Sequence, residues 1–344
     1  MPRLLILSLC LLALGACNKV PDACQQVADE LSFPYSFATY EAAGRTVEEW
    51  RDDLRKELNT AITFENSTRI PGPPVLLGES FIDGTRVFQY ELESTIDTVP
   101  IPFGVLVPPS AMGRQEQHIV ILLHGHGEDA TAPFDSNSEM RNIGGRLLDE
   151  GYLVVSVEMR SFGEFLIDGK GHDAYIAGLE DGEFVGQVVL ETGQVANAIA
   201  DLFPEEELNT VAIFGHSFGG YIALHVGALV DRMDFVMSSG HFLPYACINT
   251  DFAHAGQDII AMEGVAEIYD VTALAAPTGA NVDLFFGAQD SLFTSASVES
   301  FERLEVIYDK LGASGEPSIH VNPSIGHEVD PDAVIAALPA IPGD

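Results

Sequence analysis

The chain is poor in positive charge. Of its 344 residues only 16 are Lys or Arg, against 52 Asp and Glu, a formal net charge of −36. There are four lysines: Lys19, Lys56, Lys170 and Lys310. Such a surface repels phosphate backbones and anionic lipid, which excludes nucleic acid as a partner. It suits either a saline habitat, where screening weakens self-repulsion, or ordinary solubility. Cysteine is scarce too, at Cys10, Cys17, Cys24 and Cys247, with no CxxC or Cys/His spacing for structural zinc. Internal repeats and long low-complexity tracts are absent. What remains, 344 residues at 47% hydrophobic, suffices for one large core, with or without a small appendage.

The first seventeen residues, "MPRLLILSLCLLALGAC", address the chain rather than fold it. Arg3 precedes an apolar stretch from Leu4 to Leu14, the length of a signal-peptide core and too short to span a bilayer as a helix. Leu14-Gly15-Ala16-Cys17 resembles a bacterial lipobox. The expectation is that residues 1–16 leave as a lipoprotein signal peptide and Cys17 carries lipid. The protein would then be exported and anchored to a bacterial membrane, on its periplasmic or cell-surface face. The alternative is an ordinary secretory signal that contains a cysteine. Cys24 and Cys247 would remain, either as a disulfide in an oxidising compartment or as two free thiols.

Residues 17–70 read as a tether and helical lead to a domain over 71–344. Within the lead, "TVEEWRDDLRKELNTAITF" places Trp50, Leu54, Leu58 and Ile62 at four-residue spacing behind a Thr46/Glu49 capping box, which predicts an amphipathic helix. "RIPGPP" breaks the chain at 69–74. Two strand-like runs then meet at Asp83-Gly84, a hairpin signal, and "VPIPFGVLVPP" adds a third. From residue 118 short, wholly apolar runs alternate with helical patterns: 118–125, 152–159, 210–215, 233–240, 282–287 and 318–322. Apolar runs without alternation predict strands covered on both faces. The fold class expected is therefore α/β: a mostly parallel, doubly wound sheet with an antiparallel N-terminal edge. Ligands of such sheets sit at the carboxyl ends of the strands.

Ser217, in "VAIFGHSFGGYIAL", follows an apolar strand and opens a helix. That is the setting of a nucleophile elbow, with Gly215 and Gly219 where side chains would collide. A serine hydroxyl needs a base, and the base needs an orienting group. In the chain order Ser, acid, His, three histidines follow near strand ends. His320 lies within an apolar strand and is expected in the core. His241 follows "VMSSG" and is expected to line the site. His327, in a loop behind Gly326, is the candidate base. Asp290, in the loop after Gly287, is the candidate acid, ahead of Asp283 within the strand and Asp330 past the histidine. "HGHG" at 124–127 offers an oxyanion loop, with the N–H groups of His126 and Phe218 as donors. His124 and His126 as metal ligands is the competing reading, but no further ligand pattern accompanies them. A metal is therefore not expected there.

"HGHG", "GHSFGG", "GAQD" and the closing "GH" in this order resemble the α/β-hydrolases. "GYLVVSVEMRSFGE" (151–164) and "ACINTDFAHAGQDI" (246–259) are similar to segments of the bacterial branch of acetylxylan esterases and dienelactone hydrolase-like proteins. The resemblance covers residues 100–330. It implies an α/β-hydrolase fold and cofactor-free hydrolysis of carboxylic esters, on short acyl groups such as acetyl, with carbohydrate esters among the candidates. There are two departures. Dienelactone hydrolases proper carry cysteine where this chain has Ser217, and relatives often have a second glycine where it has Ile325. The stretch 241–280 is long for a link between strands and is expected to form a cap, using Phe242, Leu243, Tyr245 and Phe252, with structural padding as the alternative. Arg160 and Glu164 are expected to be ion-paired rather than to touch substrate. Two other functions stay open: a serine peptidase of prolyl oligopeptidase type, without room for that family's propeller, and a non-catalytic binding protein on a hydrolase scaffold.

Overall fold

The structure, a computed structural model, describes residues 37–62, 71–82, 84–114, 116–179, 183–203, 207–244, 271–275, 279–312 and 315–341. The signal segment, Cys17, Cys24, Cys247 and residues 245–270 of the expected cap lie outside the described residues.

Among the described residues nine strands form one sheet: β1 (Val75–Ile82), β2 (Thr85–Leu92), β3 (Ile101–Val107), β4 (Gln117–Leu123), β5 (Leu153–Val157), β6 (Leu208–His216), β7 (Phe235–Ser239), β8 (Asn281–Gly287) and β9 (Pro317–Asn322). Their order is β1-β2-β3-β5-β4-β6-β7-β8-β9. The pairs from β1 to β5 are antiparallel and those from β5 to β9 parallel. This is the doubly wound α/β sheet with an antiparallel edge that the apolar runs predict. The order switches direction at β4, which lies between β5 and β6. A crevice is therefore expected at the carboxyl ends of β4 and β6.

Helices cover both faces. In chain order they are α1 (Phe37–Ala42), α2 (Val47–Ile62), α3 (Ile143–Asp149), α4 (His172–Ile176), α5 (Glu183–Leu202), α6 (Phe218–Leu229), α7 (Val271–Ala275), α8 (Ser295–Leu311) and α9 (Pro331–Ala337). None of them is long and apolar enough to cross a membrane. The pleat divides β4 between two cores. Ile119, Ile121 and Leu123 join the larger one, with Trp50 and Leu54 of α2, Phe184 of α5, Tyr221 of α6 and Phe301 of α8. Val120 and Leu122 join the smaller one, with Ile143 and Leu147 of α3 and Val334 of α9. Both faces of β4 are thus dry, which is why its sequence does not alternate.

Local signals carry through. The Thr46 N–H donates to Glu49 Oε2 at 3.0 Å and the Glu49 N–H to Thr46 Oγ1 at 3.2 Å, a reciprocal box at the start of α2. The helical lead then packs Trp50 and Leu54 into the main core with no remaining exposure. In the hairpin Ile82 faces Thr85, and Gly84 takes φ +86°, which glycine reaches without a Cβ clash. Phe242 and Leu243 differ from expectation. Both are buried in the main core rather than set over an opening.

Candidate active site

Ser217 joins β6 to α6 at φ 54° and ψ −116°, a region an L-residue enters only at a cost of about 1–3 kcal/mol. The surroundings enforce it. The Ser217 N–H donates to Ser239 O of β7 at 2.7 Å, and Ser217 O accepts from the Tyr221 N–H at 3.1 Å. A Cβ on Gly215 would stand 2.0 Å from Gly219 O. One on Gly219 would stand 2.4 Å from Leu123 O and 2.5 Å from His124 O. The second clash is therefore not across the turn but against the end of β4, pressing the elbow onto the neighbouring strand. Phe218 opens α6, so its N–H has no acceptor within the helix.

Asp290 and His327 meet although 37 residues part them. His327 Nδ1 lies 2.7 Å from Asp290 Oδ2. The carboxylate is almost wholly buried, and its other oxygen accepts from the Leu292 N–H at 2.8 Å. That leaves Nε2 as the free nitrogen of His327. The ring centroid of His327 is 4.7 Å from that of His216, the residue before Ser217. Burial alone would lower the pKa of His327. The bond to Asp290 and the charges of Asp290, Glu139 and Glu128 outweigh it and raise it. The loop is seated by Gly287, where a Cβ would stand 2.2 Å from Gly326 O and 2.3 Å from Ile325 O. Ile325 O accepts from the Gln289 N–H at 3.1 Å, so a side chain at 325 leaves this loop in register.

After β4, His124 is buried and His126 exposed. The Gly125 N–H is taken by Glu128 Oε2 at 3.0 Å, which leaves His126 as the next donor along the loop. The His126 ring stands edge-on to Phe162 and Phe218 and meets His172, Nε2 to Nε2, at 3.0 Å. His126, Glu128, Ser161, Phe162 and His172 line an open cleft of about 510 Å³ beside the oxyanion loop. His124 Nε2 lies 3.3 Å from Glu158 Oε1 and 3.4 Å from the Met159 N–H. Its ring belongs to the floor of the loop, and it does not share a donor cluster with His126 among the described residues.

The other histidines divide. His241 is buried against Tyr221, and burial, with His225 and His327 nearby, takes its pKa down to about 3. It stays neutral. His320 is not in the core: β9 is the last strand of the sheet, so the ring is half-exposed, stacked on Phe285 and within 3.3 Å of Asp283. Arg160 has no exposed side-chain surface. It bonds Glu191 Oε2 at 2.9 Å, Asp97 Oδ2 at 2.8 Å and Tyr175 OH at 3.2 Å, with a further bond to Glu191 Oε1. It braces the loop that carries Phe162. Glu164 is exposed.

Sequence reasoning missed Glu139, Glu128 and His172. Glu139 lies on an irregular loop between the first two parallel strands, and its carboxylate stands 3.5 Å from His216 Nε2. The neighbouring His216, with His327 beyond it, holds the Glu139 pKa below the usual carboxylate range, against the effect of burial, so it is ionised at neutral pH.

A serine held in a strained strand–turn–helix junction, with an Asp–His pair at the neighbouring strand ends, defines an α/β scaffold of hydrolase type. The profile of the alpha/beta hydrolase family matches residues 120–337, well over half of the chain, and the chain belongs to that family. A comparison with curated protein sequences gives no match. Among solved structures it is similar to acetyl xylan esterase 1 from Thermoanaerobacterium sp. JW/SL YS485, at 18% identity and TM-score 0.57, over 83% of this chain and 92% of that one. The acetyl xylan esterase from Paenibacillus sp. R4 gives 14%, 0.56, 83% and 92% in the same order. A carbohydrate esterase family 15 glucuronoyl esterase from Caldicellulosiruptor kristjansonii gives 13%, 0.56, 85% and 84%. At these identities the likeness is one of fold.

Proposed function

We propose that the protein is a serine carboxylic-ester hydrolase working through an acyl-enzyme. Ser217 attacks the ester carbonyl while His327 Nε2 takes its proton. Asp290 holds the imidazole tautomer and stabilises the imidazolium. The N–H groups of Phe218 and His126 receive the developing oxyanion. His327 returns the proton to the leaving alcohol, and water cleaves the acyl-enzyme by the same steps. The observation that carries this reading is the 2.7 Å bond between His327 and Asp290, with the His327 ring against His216, the residue before a serine held at φ 54°. The test is hydrolysis of p-nitrophenyl acetate and peptide anilides by the purified protein. Preference for anilides by a wide margin turns the assignment to a peptidase.

Short neutral acyl esters, acetyl groups on carbohydrate among them, are the substrate class we assign. Glu128 and Glu139 face His327. Residues 241–280 contain Asp251, Asp258, Glu263, Glu267 and Asp270 but neither Lys nor Arg. A carboxylate-bearing acyl group meets repulsion, and the acid product is expelled by the same field. p-Nitrophenyl acetate is expected to exceed p-nitrophenyl hemisuccinate at least about tenfold in kcat/KM at low salt. The gap should narrow as the screening length falls to about 3 Å near 1 M salt. Equal rates on the two esters in dilute buffer would remove this assignment.

The pH profile follows from the same charges. His327 acts as base only when neutral, so activity falls as pH drops through its pKa. That pKa is raised, so the acid limb should lie above the ordinary imidazole value of about 6.5. Glu139→Gln removes one of the raising charges and should move the limb to lower pH, measured as kcat/KM with EDTA present. A limb that stays put, or moves upward, contradicts this electrostatic account.

For the N-terminal segment we keep the reading of a lipoprotein signal followed by lipidated Cys17. Its support is the Leu-Gly-Ala-Cys sequence at 14–17.

A further inference from the structure

We infer that Glu139, His216 and His327 form a site for a divalent transition-metal ion of the zinc type, and that the ion switches hydrolysis off. One donor atom from each residue lies within 4.8 Å of the other two. The donors are two imidazoles and a carboxylate, a set that suits zinc and its neighbours and not calcium or magnesium, which want oxygen alone.

Each imidazole is already oriented as a ligand would be. The Nδ1 of His327 is held by Asp290 at 2.7 Å, and the Nδ1 of His216 by Ser239 Oγ at 3.1 Å. Metal-bound histidines are characteristically fixed in this way through the second nitrogen, which leaves Nε2 to the metal. His216 Nε2 is fully buried and has no hydrogen-bond partner, although Glu139 Oε2 is only 3.5 Å away. An orphaned buried nitrogen is costly unless something occupies the space it faces. Glu139 supplies the adaptable arm, since 54% of its side chain is exposed. A tetrahedral zinc with ligands at about 2.1 Å needs donors about 3.4 Å apart. The Glu139–His216 pair already stands at 3.5 Å, so binding has to draw in the remaining spread, at most 4.8 Å, by about 1.4 Å.

The consequence for the reaction is direct. The lone pair on His327 Nε2 cannot both bind a metal and receive the proton of Ser217. Inhibition therefore rests on the reading of His327 as base, whereas the site stands on geometry alone. Chelation restores the free nitrogen, so the effect is reversible.

The experiment uses zinc chloride and the purified, EDTA-stripped protein. Excess calcium is included to occupy the surface carboxylates. Isothermal titration is expected to show one zinc per chain. Glu139→Gln and His216→Gln should each weaken binding by at least about 10- to 100-fold, as loss of a ligand costs no less than loss of its support. Circular dichroism on both variants confirms that they fold. Zinc should inhibit p-nitrophenyl acetate hydrolysis with the affinity found by titration, and EDTA should reverse it. No zinc bound in calcium buffer, or equal binding by wild type and a folded Glu139→Gln protein, overturns the site. Stoichiometric binding lost in both variants, with hydrolysis unaffected by zinc, keeps the site and overturns the assignment of His327 as base.

Discussion

Replacing Ser217 by alanine should lower kcat by about 10⁴- to 10⁶-fold and leave the fold in place. The side chain makes no packing contribution that alanine lacks, apart from the hydroxyl. The backbone constraints at 217 come from Gly215, Gly219 and the bond to Ser239 O, none of which involves that hydroxyl. Residual turnover above the uncatalysed rate is expected, because the Phe218 and His126 N–H groups and the binding cleft persist. A fluorophosphonate probe should label the wild type at Ser217 and leave the alanine variant unlabelled. Full activity in the variant would place the nucleophile elsewhere. Intact labelling with no ester or amide turnover would leave a binding protein that retains the elbow.

The second large effect concerns stability. Arg160→Leu should destabilise the protein by about 3–5 kcal/mol, because it strands a buried carboxylate. Glu191 is buried at the other end of the pair, and burial raises its pKa against the opposing pull of Arg160 and Ser94. Without the guanidinium it must take up a proton or drag water inward. Tyr175 and Asp97 lose their shared donor at the same time. The double variant Arg160→Met, Glu191→Gln should recover most of the loss, since removing both charges also removes the desolvation cost. Urea unfolding of the two proteins is the measurement. A single variant as stable as wild type would mean that Glu191 does not depend on Arg160 to be carried as a buried carboxylate.

Much of this architecture was legible because its signals are local. Six apolar runs fall on the six parallel strands, and from β4 to β8 both sheet faces are dry, so no alternation blurs them. Ser217, Asp290 and His327 could be put forward as candidates because each follows a strand in the chain order serine, acid, histidine. Glu139 could not. Its backbone is tied to Glu128 through its N–H and to Val329 through its carbonyl, one partner 11 residues back and the other 190 residues on. No periodicity reports such pairings. Arg160 shows the same limit: an ion pair was readable from its residue type, but Asp97 and Glu191 were not readable as partners. His320 was misplaced for a different reason. Its strand has an apolar sequence like the central ones, and only the sheet order reveals that β9 is the last strand among the described residues.

The seat of the elbow sets a rule for redesign. Gly219 rests on the carbonyls of Leu123 and His124, and Gly215 on that of Gly219, main chain against main chain. The spacing between the serine and the end of β4 is therefore set by main chain rather than by the side chains nearby. An engineer can exchange Phe162, His172 or the wall of the cleft without retuning that distance, and variation there should alter which ester is accepted before it alters whether any is cleaved. A single methyl group at 215 or 219 does the reverse.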